Sequence, residues 1–489
     1  REMSNYKALL INPPRIQGYA WTREGRCQEK EGVLGTVKPP ISLALLGSIL
    51  RNNAVDFKLL DANILDLDPK EICHWLSENQ FTPEVIIYGT TTPTIVDDTR
   101  ALSSIKKHFG SKLIAFGAHI TGLPEGTLEA LPEIDIGIIG EPECVILDII
   151  KNGNLQELEK VNNIVYRNST GKIVVNKIHL LQNGLDDLPL PAWDLLPLEK
   201  YTLPFTGERY LLVETSRGCP FSCDFCVAPL FHGTVFRQKR ASLVVDEIET
   251  LQTKFKINTF YLWGDTVTLH KKFMSDFCDE VIRKKLDIKW FSNSRADTLS
   301  DFALLEKMKA SGCWMLSIGI ESLNEKTLDS INKKLSVEKI ADSLKLLKKV
   351  GIVSFGFFIL GHPDETMSDI NKTVEMILKL PLDYANFYPA VPYPGTQFYE
   401  KCIKNNYLVK GNEWQKMEYS HYVLKTSEFD EAIVMNEISR AKRRFYLRLS
   451  FIVNHVRLIG FYNTVAFIIK YMSKMVHTSL HKHHGTISI

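Results

Sequence analysis

The sequence lacks the features of secreted, membrane-spanning and disulfide-rich proteins. It has 9 cysteines in 489 residues, too few for a disulfide-held scaffold, and the odd number favours a reducing compartment. No charged segment followed by an apolar one opens the chain, so no secretory signal is expected. The longest strongly apolar run, residues 458–469, is shorter than the ~20 residues that span a bilayer. These absences predict a cytoplasmic protein.

Neither sign of charge is in large excess over the whole chain. Lys and Arg number 59 and Asp and Glu 57, for a net charge of +2, which excludes a wholly basic nucleic-acid binder and a wholly acidic scaffold. Acidic residues are nevertheless absent from residues 440–489, where nine basic residues stand. The rest of the chain therefore carries 50 basic against 57 acidic residues, or −7.

The first part of the chain contains five apolar, β-branched runs separated by helical patterns. The runs begin at Ala8, Phe57, Val85, Lys112 and Ile136, and this alternation predicts an α/β fold with a parallel, doubly wound sheet. Ligands of such sheets bind at the loops after the strands. No Gly-x-Gly-x-x-Gly opens the first helix, so a dinucleotide is not expected.

Composition divides the chain into four parts. Residues 3–185 form the predicted Rossmann-like domain, and residues 186–204 are a linker stiffened by proline. Residues 205–400 repeat a strand followed by a helix, which predicts a second α/β unit. Residues 401–489 are helical and basic.

Three cysteines stand close together after the first predicted strand of the second unit. Cys219, Cys223 and Cys226 follow the spacing C-x3-C-x2-C. A closed zinc site needs four ligands, and most ferredoxin clusters take four cysteines. Three cysteines suit a [4Fe-4S] cluster with one open iron, which the amino and carboxylate groups of an amino acid can chelate. Zinc with His232 as a fourth ligand is the alternative.

The cysteine motif, with an aromatic residue directly before the third cysteine, resembles the signature of radical SAM enzymes. Segments that end the following predicted strands resemble the same family. The resemblance implies a partial (β/α)6 TIM barrel whose strand ends line one mouth. It also implies an S-adenosyl-L-methionine (SAM) site formed by Phe225, Gly264, Asp265, Arg295, Glu321 and Gly361.

The strand-end loops of the first domain resemble those of the cobalamin-binding domain of B12-dependent radical SAM enzymes. The Asp-x-His-x-x-Gly motif of other B12 proteins is absent, so a lower axial histidine is not expected, and a Rossmann-like domain without a ligand is the alternative. The resemblance implies that cobalamin contacts Pro13, Pro14, Thr90, Thr91, Thr92, Gly117, His119, Thr121, Gly140 and Glu141.

The resemblance as a whole is to class B radical SAM methyltransferases. It implies three cofactors, a [4Fe-4S] cluster, SAM and cobalamin, which together methylate an unactivated carbon through a 5′-deoxyadenosyl radical. It further implies a small-molecule or lipid-like substrate and an external electron donor of the flavodoxin or ferredoxin type. No nucleic-acid partner is expected.

Three alternatives remain open on the sequence. The same cofactors could perform a cyclisation, rearrangement or oxidation. A radical methylthiotransferase is disfavoured because no second set of three cysteines stands in the N-terminal domain. A non-catalytic cobalamin-binding protein is disfavoured because the cysteine motif is intact.

The C-terminal region admits two interpretations. Apolar residues at helical spacing predict that it covers the open side of the barrel. Its basic and aromatic content instead suits a peripheral contact with lipid head groups at the inner membrane surface. A nucleic-acid-binding role has no recognition motif to support it. His481, His483 and His484 near the end could bind metal adventitiously.

Overall fold

A mostly parallel sheet, an entirely parallel sheet, two two-stranded antiparallel sheets and a C-terminal helical region make up the described part of the protein, for which we use a computed structural model. The structure describes residues 6–24, 27–30, 37–151, 157–179, 184–204, 206–409, 414–460 and 464–465. Within them the strands are β1 Lys7–Asn12, β2 Trp21–Glu24, β3 Cys27–Lys30, β4 Asp56–Asp61, β5 Val85–Gly89, β6 Lys112–Phe116, β7 Ile136–Ile138, β8 Ile164–Arg167, β9 Ile173–Val175, β10 Tyr210–Glu214, β11 Ser216–Arg217, β12 Arg237–Gln238, β13 Thr259–Trp263, β14 Lys289–Ser294, β15 Cys313–Glu321, β16 Val353–Leu360 and β17 Tyr384–Pro389.

Helices connect the parallel strands and cover both faces of the first sheet. In the same residues they are α1 Ile41–Asn52, α2 Ala62–Leu65, α3 Pro69–Glu78, α4 Ile95–Phe109, α5 Ala118–Gly122, α6 Pro124–Ala130, α7 Ile146–Lys151, α8 Ala228–His232, α9 Ala241–Phe255, α10 Lys271–Arg283, α11 Phe302–Ala310, α12 Glu325–Ser330, α13 Val337–Val350, α14 Met367–Lys379, α15 Gln397–Lys404, α16 Glu431–Tyr446 and α17 Leu449–Ile459.

The first sheet has the order β4-β1-β5-β6-β7-β8-β9. Its first five strands are parallel, as the five apolar runs predict, whereas β8 and β9 extend it in antiparallel fashion. Alternate residues of β1 belong to different cores, Leu10 to one and Leu9 to the other. A strand buried on both faces is apolar throughout, which is why the sequence shows a continuous run there.

The second sheet has the order β10-β13-β14-β15-β16-β17, and all its strands are parallel. The chain order of the strands matches their order in the sheet, as in a barrel built from successive strand–helix units. Local signals start its helices: Ser336 accepts a hydrogen bond from the backbone of Lys339 at the start of α13, and Gly351 ends that helix with a positive φ. The predicted α/β fold and partial barrel are confirmed.

The proline-rich segment 186–204 packs against the first domain. The backbone N–H of Ala192 donates to the carbonyl of Ala44 in α1 at 2.8 Å, and Trp193 is completely buried. The hydroxyl of Tyr201 donates to Asp61 at 2.6 Å. The segment is therefore part of the core that joins the two sheets.

The described part of the C-terminal region covers the free edge of β17. The hydroxyl of Tyr446 in α16 donates to the carbonyl of Ala385 at 2.7 Å and accepts from its N–H at 3.3 Å. Phe445 and Phe451 are buried beside it. This is the covering role that helical spacing predicts. The basic residues from 466 onward and the three C-terminal histidines lie outside the described residues.

Strand-end loops of the two sheets meet each other. A Cβ at Gly122, at the end of α5, would collide with the carbonyl oxygen of Pro394, and a Cβ at Gly395 would lie 2.6 Å from the Cα of Gly122. Only glycine permits this approach of two backbones. In the part of the chain that is described, none of the helices has the length and apolar character needed to cross a membrane.

Candidate active site

The loop that carries the three cysteines follows β10 and is held by backbone hydrogen bonds. Gly218 has a φ of 81°, and a Cβ there would collide with the carbonyl of Val235. The N–H of Cys219 donates to the carbonyl of Gly233 at 3.3 Å, and that of Cys226 to Cys223 at 3.2 Å. The positions of the thiols are therefore set by a folded loop.

Helices from the far side of the barrel also fix this loop. The N–H of Asp224 donates to the carbonyl of Ile331 at 3.1 Å, and its own carbonyl accepts from the N–H of Phe398 at 2.9 Å. Burial raises the pKa of the Cys223 thiol, while the positive charge of Lys333 lowers it. A thiolate at Cys223 therefore depends on a nearby cation or metal.

The arrangement does not support the zinc alternative. Within the described ranges, no three His, Cys, Asp or Glu side chains converge to hold one metal ion. His232, the expected fourth ligand, is turned to the carboxylate of Glu141, with Nδ1 2.9 Å from Oε1. Three thiols from one loop, each able to bind a different iron, fit a [4Fe-4S] cluster.

The predicted SAM residues all lie at the carboxyl edge of the second sheet. Gly264 and Asp265 follow β13, Arg295 follows β14, Glu321 ends β15 and Gly361 follows β16. Phe225 lies in the cysteine loop, with its ring centroid 6.4 Å from that of His362. The parallel order of the strands brings these residues to one mouth because successive strands end on the same side.

Lys333 is a residue of this mouth that the sequence did not reveal. Its Nζ lies 2.8 Å from Oε1 of Glu321, and both side chains are less than 10% exposed. Glu321 has a φ of 67°, an uncommon conformation for a residue with a side chain. The strained backbone and the buried ion pair mark Glu321 as a constrained position. No local pattern distinguishes Lys333 from the neighbouring Lys334.

Arg295 is held in place by three different groups. Its guanidinium makes two hydrogen bonds to the carboxylate of Asp297, at 3.1 and 3.2 Å, and one to the carbonyl of Lys333 at 2.9 Å. It also stacks on the ring of Phe221, 3.7 Å from the centroid. A planar cation fixed in this way is suited to a carboxylate ligand.

Three of the predicted SAM residues have close structural contacts of their own. A Cβ at Gly264 would collide with the hydroxyl oxygen of Ser216, so a larger residue here would have to displace that side chain. The carboxylate of Asp265 accepts from the N–H of Gly218 at 3.1 Å. The carbonyl of Gly361 accepts from the hydroxyl of Tyr422 at 2.7 Å.

A buried polar network lies beneath the strand-end loops of the first domain. Arg23 and Asp98 form an ion pair at 2.7 Å with side chains no more than 2% exposed. Arg23 also donates to the carbonyl of Pro14 at 3.0 Å, and Thr90 donates to Asp98 at 2.9 Å. The N–H of Thr91 donates to the hydroxyl of Thr94 at 3.1 Å. Arg23 and Asp98 were missed because the sequence gives no sign that they pair.

His119 has one buried nitrogen without a hydrogen-bond partner among the described residues. Its Nδ1 lies 3.2 Å from the hydroxyl of Thr92, whereas Nε2 is unpaired. Burial lowers the pKa of His119 to about 3, so the ring is neutral. The ring meets Trp414 edge-on, with centroids 4.3 Å apart. An orphaned polar atom at this edge of the sheet is where a ligand group would be accepted.

The other predicted cobalamin residues lie around His119. Gly117 has a φ of 132°, and a Cβ there would collide with the carbonyl of Thr90. Thr121 accepts from the N–H of Gly140 at 3.0 Å. Pro13 is buried. The structure brings these residues to one edge, and their neutral, small character fits a large uncharged ring system such as cobalamin.

Glu141, another of the predicted cobalamin contacts, is bonded to residues of the second domain. Its carboxylate is bonded to Arg217, with 2.9 Å between Nη1 and Oε2, and to Arg237 and His232. These cations hold the pKa of Glu141 well below its usual range, although burial opposes them. Glu143 also bonds to Arg217. The geometry makes Glu141 a connection between the two domains.

The segment after residue 413 crosses from one domain to the other. Gln415 donates to Asp97 of α4 at 3.1 Å, and Lys30 of the β2–β3 hairpin lies 3.2 Å from Glu418. Together with Trp414 on His119 and Tyr422 on Gly361, these contacts place the segment at the mouth shared by the two sheets.

A three-cysteine loop at the mouth of a parallel six-stranded barrel sheet, faced by a doubly wound domain, defines an enzyme that cleaves SAM at an iron–sulfur cluster. The chain belongs to the Radical SAM superfamily, whose family model matches residues 213–377. An uncharacterized methyltransferase of Pyrococcus horikoshii is 32% identical over 459 residues, which cover 93% of this chain and 95% of that protein.

Two further comparisons extend over most of the chain. The anaerobic magnesium-protoporphyrin IX monomethyl ester cyclase of Rubrivivax gelatinosus is 28% identical over 422 residues, 85% of this chain and 75% of that protein. The cobalamin-dependent SAM radical enzyme OxsB, solved with aqua-cobalamin and SAM bound, superposes with a TM-score of 0.72 at 15% identity. The match covers 96% of this chain and 71% of OxsB, and it shows a shared fold.

Proposed function

We propose that the protein is a cobalamin-dependent radical SAM methyltransferase that acts on an unactivated carbon. The observation that carries the proposal is the junction of the two domains. Arg217, two residues before the first cysteine, is bonded to Glu141 and Glu143 in a strand-end loop of the first domain. The ligand-binding edge of the Rossmann-like domain therefore lies against the cysteine loop, as a transfer between two cofactors requires.

The residues have the following proposed tasks. Cys219, Cys223 and Cys226 hold the cluster, and Arg295 binds the SAM carboxylate. Glu321, kept in place by Lys333, contacts the SAM ribose or carboxylate. When bound, the cluster and SAM supply a 5′-deoxyadenosyl radical, and cobalamin supplies the methyl group.

For the remaining contacts, Phe225, Gly264, Asp265 and Gly361 shape the SAM site through their loops. The proposed cobalamin surface is the edge around His119, which includes Pro13, Pro14, Thr90, Thr91, Thr92, Gly117, Thr121 and Gly140. His119 is a neutral hydrogen-bonding group in this proposal. Glu141 is proposed to hold the two domains together.

A second reaction with the same cofactors is favoured by one observation. The cyclase of Rubrivivax gelatinosus is 28% identical over 85% of this chain, so a radical cyclisation shares nearly all of the architecture. Methyl transfer remains the first proposal because the relative at 32% identity over 93% of this chain is a methyltransferase.

Anaerobic reconstitution tests the proposal. We expect about four irons and one cobalamin per chain, and joint formation of 5′-deoxyadenosine and S-adenosylhomocysteine from SAM. The Cys223→Ala variant should lose cluster iron and SAM cleavage, whereas Cys402→Ala, on a helix outside the loop, should retain both. Deoxyadenosine without S-adenosylhomocysteine would point to cyclisation or rearrangement, and SAM cleavage that is insensitive to Cys223→Ala would contradict the proposal.

Location and partners complete the proposal. An external one-electron donor of the flavodoxin or ferredoxin type reduces the cluster in the cytoplasm. The basic end of the chain is proposed to make a peripheral contact with an anionic membrane surface. Arg440 and Arg444 of α16 are paired with Glu437 and Glu375, but residues 449–489 still carry four basic and no acidic residues. Leu449 and Val453, 75% and 41% exposed on α17, would face the lipid. The division at residues 185, 204 and 400 is kept as the proposed domain organisation.

A further inference from the structure

The last two strands of the barrel have one buried and one partly exposed face. Burial alternates strictly along β16 and β17. Phe358 and Phe387 on the buried face stack on each other, and Phe387 meets Phe445 of α16. The other face, which carries Phe355 and Phe357, therefore points into the barrel. Its side chains are only partly buried, although the ring of Tyr384 at the start of β17 also meets Phe451 and His455 of α17.

Aromatic rings follow one another along this partly exposed face. Tyr384 lies 6.0 Å from Phe355, Phe355 lies 4.9 Å from Phe357, and Phe357 lies 6.0 Å from Tyr388. Tyr388 in turn lies 6.4 Å from Tyr419, in the segment that crosses between the domains. We call these five residues, Phe355, Phe357, Tyr384, Tyr388 and Tyr419, the aromatic wall. It runs from the interior of the barrel to the mouth.

The aromatic wall adjoins the residues proposed to hold SAM. Phe357 pairs with Gly319 of the neighbouring strand β15. A Cβ at Gly319 would lie 2.7 Å from Oε1 of Glu321 and 3.1 Å from Nζ of Lys333. The face of the sheet that carries Phe357 is thus the face on which this ion pair lies. A molecule lying on the wall would be next to the place where the reactive carbon radical forms.

The strand positions of the wall have polar groups but no charged side chain, whereas at its outer end the ammonium of Lys30 lies 5.4 Å from the ring centroid of Tyr419. None of the inward positions of β16 and β17 carries an acidic or basic side chain. The amide of Asn386 donates to the hydroxyl of Tyr388 at 3.0 Å. Burial raises the pKa of Tyr384 to about 12, so that its hydroxyl stays protonated at neutral pH. The surface offers ring faces and neutral hydrogen-bonding groups.

We propose that the aromatic wall binds the substrate and that the substrate is a planar, uncharged ring system, conjugated or polycyclic, with few polar substituents. This inference rests on the proposed function and names the substrate class of the same site. Rings bind other rings by offset or edge-to-face contacts, which a row of Phe and Tyr side chains supplies. A phosphorylated sugar would require cations on the strands of the wall, and a flexible aliphatic chain would be matched by aliphatic side chains, of which this face of β16 and β17 carries Val353 and Ile359 alone.

Titration of the full-length reconstituted enzyme with pyrenemethanol, a planar fluorescent alcohol, tests the inference. We expect saturable binding by fluorescence anisotropy. The variants Phe357→Leu and Tyr388→Leu should each weaken it about threefold to tenfold, the range expected for the loss of one ring contact. Phe357→Trp, which keeps a ring, should retain binding.

The matched control is Phe255→Leu, a partly buried aromatic residue at the end of α9 on the outside of the barrel. Equal weakening by Phe255→Leu would overturn the assignment of the site. Tighter binding of dodecanol than of pyrenemethanol, measured by competition, would overturn the planar class, and tighter binding of glucose phosphate would overturn the uncharged class.

The probe assay requires neither SAM cleavage nor methyl transfer. Deoxyadenosine formation without pyrenemethanol binding would reject the substrate class and leave the proposed function intact. If pyrenemethanol binding depends on Phe357 but the enzyme never cleaves SAM, the proposed function is rejected and the aromatic wall remains assigned as the binding surface.

Discussion

At the scale of single residues, several charged groups of this protein are fully buried and depend on one partner. Lys333 and Glu321 are the pair closest to the cysteine loop, at 2.8 Å. Glu24 of β2 is buried, and among the described residues its carboxylate is hydrogen-bonded to Ser42, 2.7 Å from the Ser42 hydroxyl. A buried charge that loses its partner destabilises the fold, whereas a buried carboxyl can also be kept neutral by a raised pKa.

Replacement of Lys333 should leave Glu321 buried without its cation. We expect Lys333→Met to lower the free energy of unfolding by about 3 to 5 kcal/mol and to weaken SAM binding. The thermal midpoint and equilibrium dialysis with SAM measure the two effects. The exposed neighbour Lys334→Met is the control and should change neither. An unchanged midpoint in Lys333→Met would show that the ion pair contributes nothing to stability.

The pH dependence of stability should report Glu24. Burial raises its pKa from 4.5 to about 8 in the folded protein. The folded state therefore keeps a proton that the unfolded chain releases above pH 4.5, so the contribution of Glu24 to stability falls as pH rises from 4.5 to 8. Glu24→Gln should flatten the decline in thermal midpoint over this range. The control is Glu29→Gln, on the same hairpin and partly exposed, whose thermal midpoint should vary with pH as that of the unaltered protein does. If the midpoint of Glu24→Gln falls as steeply with pH as that of the unaltered protein, the assignment to Glu24 is refuted.

At the scale of elements, the loop after β7 and the loop after β10 are joined by ions. Glu141, Glu143 and Glu214 surround Arg217, and Glu141 also bonds to Arg237. The pKa of Glu141 is lowered from its ordinary value of 4.5 in the folded state, so its contribution to stability is complete above pH 4.5 and is lost progressively as pH falls from there toward the much lower folded pKa.

Glu141→Gln should loosen this junction without unfolding either sheet. We expect faster amide hydrogen exchange at residues 140–144 and 232–238, because a neutral amide binds Arg217 and Arg237 less strongly. Glu129→Gln, exposed on α6, serves as the control. Equal exchange in Glu141→Gln and in the unaltered protein would mean that other contacts hold the loops together.

How far the sequence predicts this structure depends on whether the signal is local. The five apolar runs predicted five strands because β1 and its neighbours are buried on both faces. The cysteine spacing located the loop, since its three residues lie within eight positions. By contrast, Lys30 meets Glu418 from 388 positions away, and no pattern in either segment encodes such a pairing. For the same reason the sequence did not show that Glu141 pairs with Arg217 and Arg237.

At the scale of the whole molecule, the C-terminal region has two parts with different expected roles. A chain that ends after residue 430 lacks α16 and α17, exposes the edge of β17, and should lose solubility or several degrees of thermal midpoint. A chain that ends after residue 465 retains both helices and should keep its midpoint and cluster iron. It should sediment less with vesicles of dioleoylphosphatidylglycerol than the full chain does, and equal sedimentation would refute the proposed membrane contact. Vesicles of phosphatidylcholine are the control.

The hydrogen bond from the hydroxyl of Tyr446 to the backbone of Ala385 also has a consequence for folding during synthesis. The first domain leaves the ribosome early, so the β10 edge of the barrel can pack against it as soon as that edge forms. The opposite edge stays open until about sixty more residues have emerged, since Tyr446 follows Ala385 by 61 positions. During that interval the edge strand β17 of the nascent barrel is unprotected. It can then pair with other nascent chains that are made on the same messenger RNA. Slow translation over this stretch should therefore favour aggregation, and a chaperone that shields strand edges should relieve it.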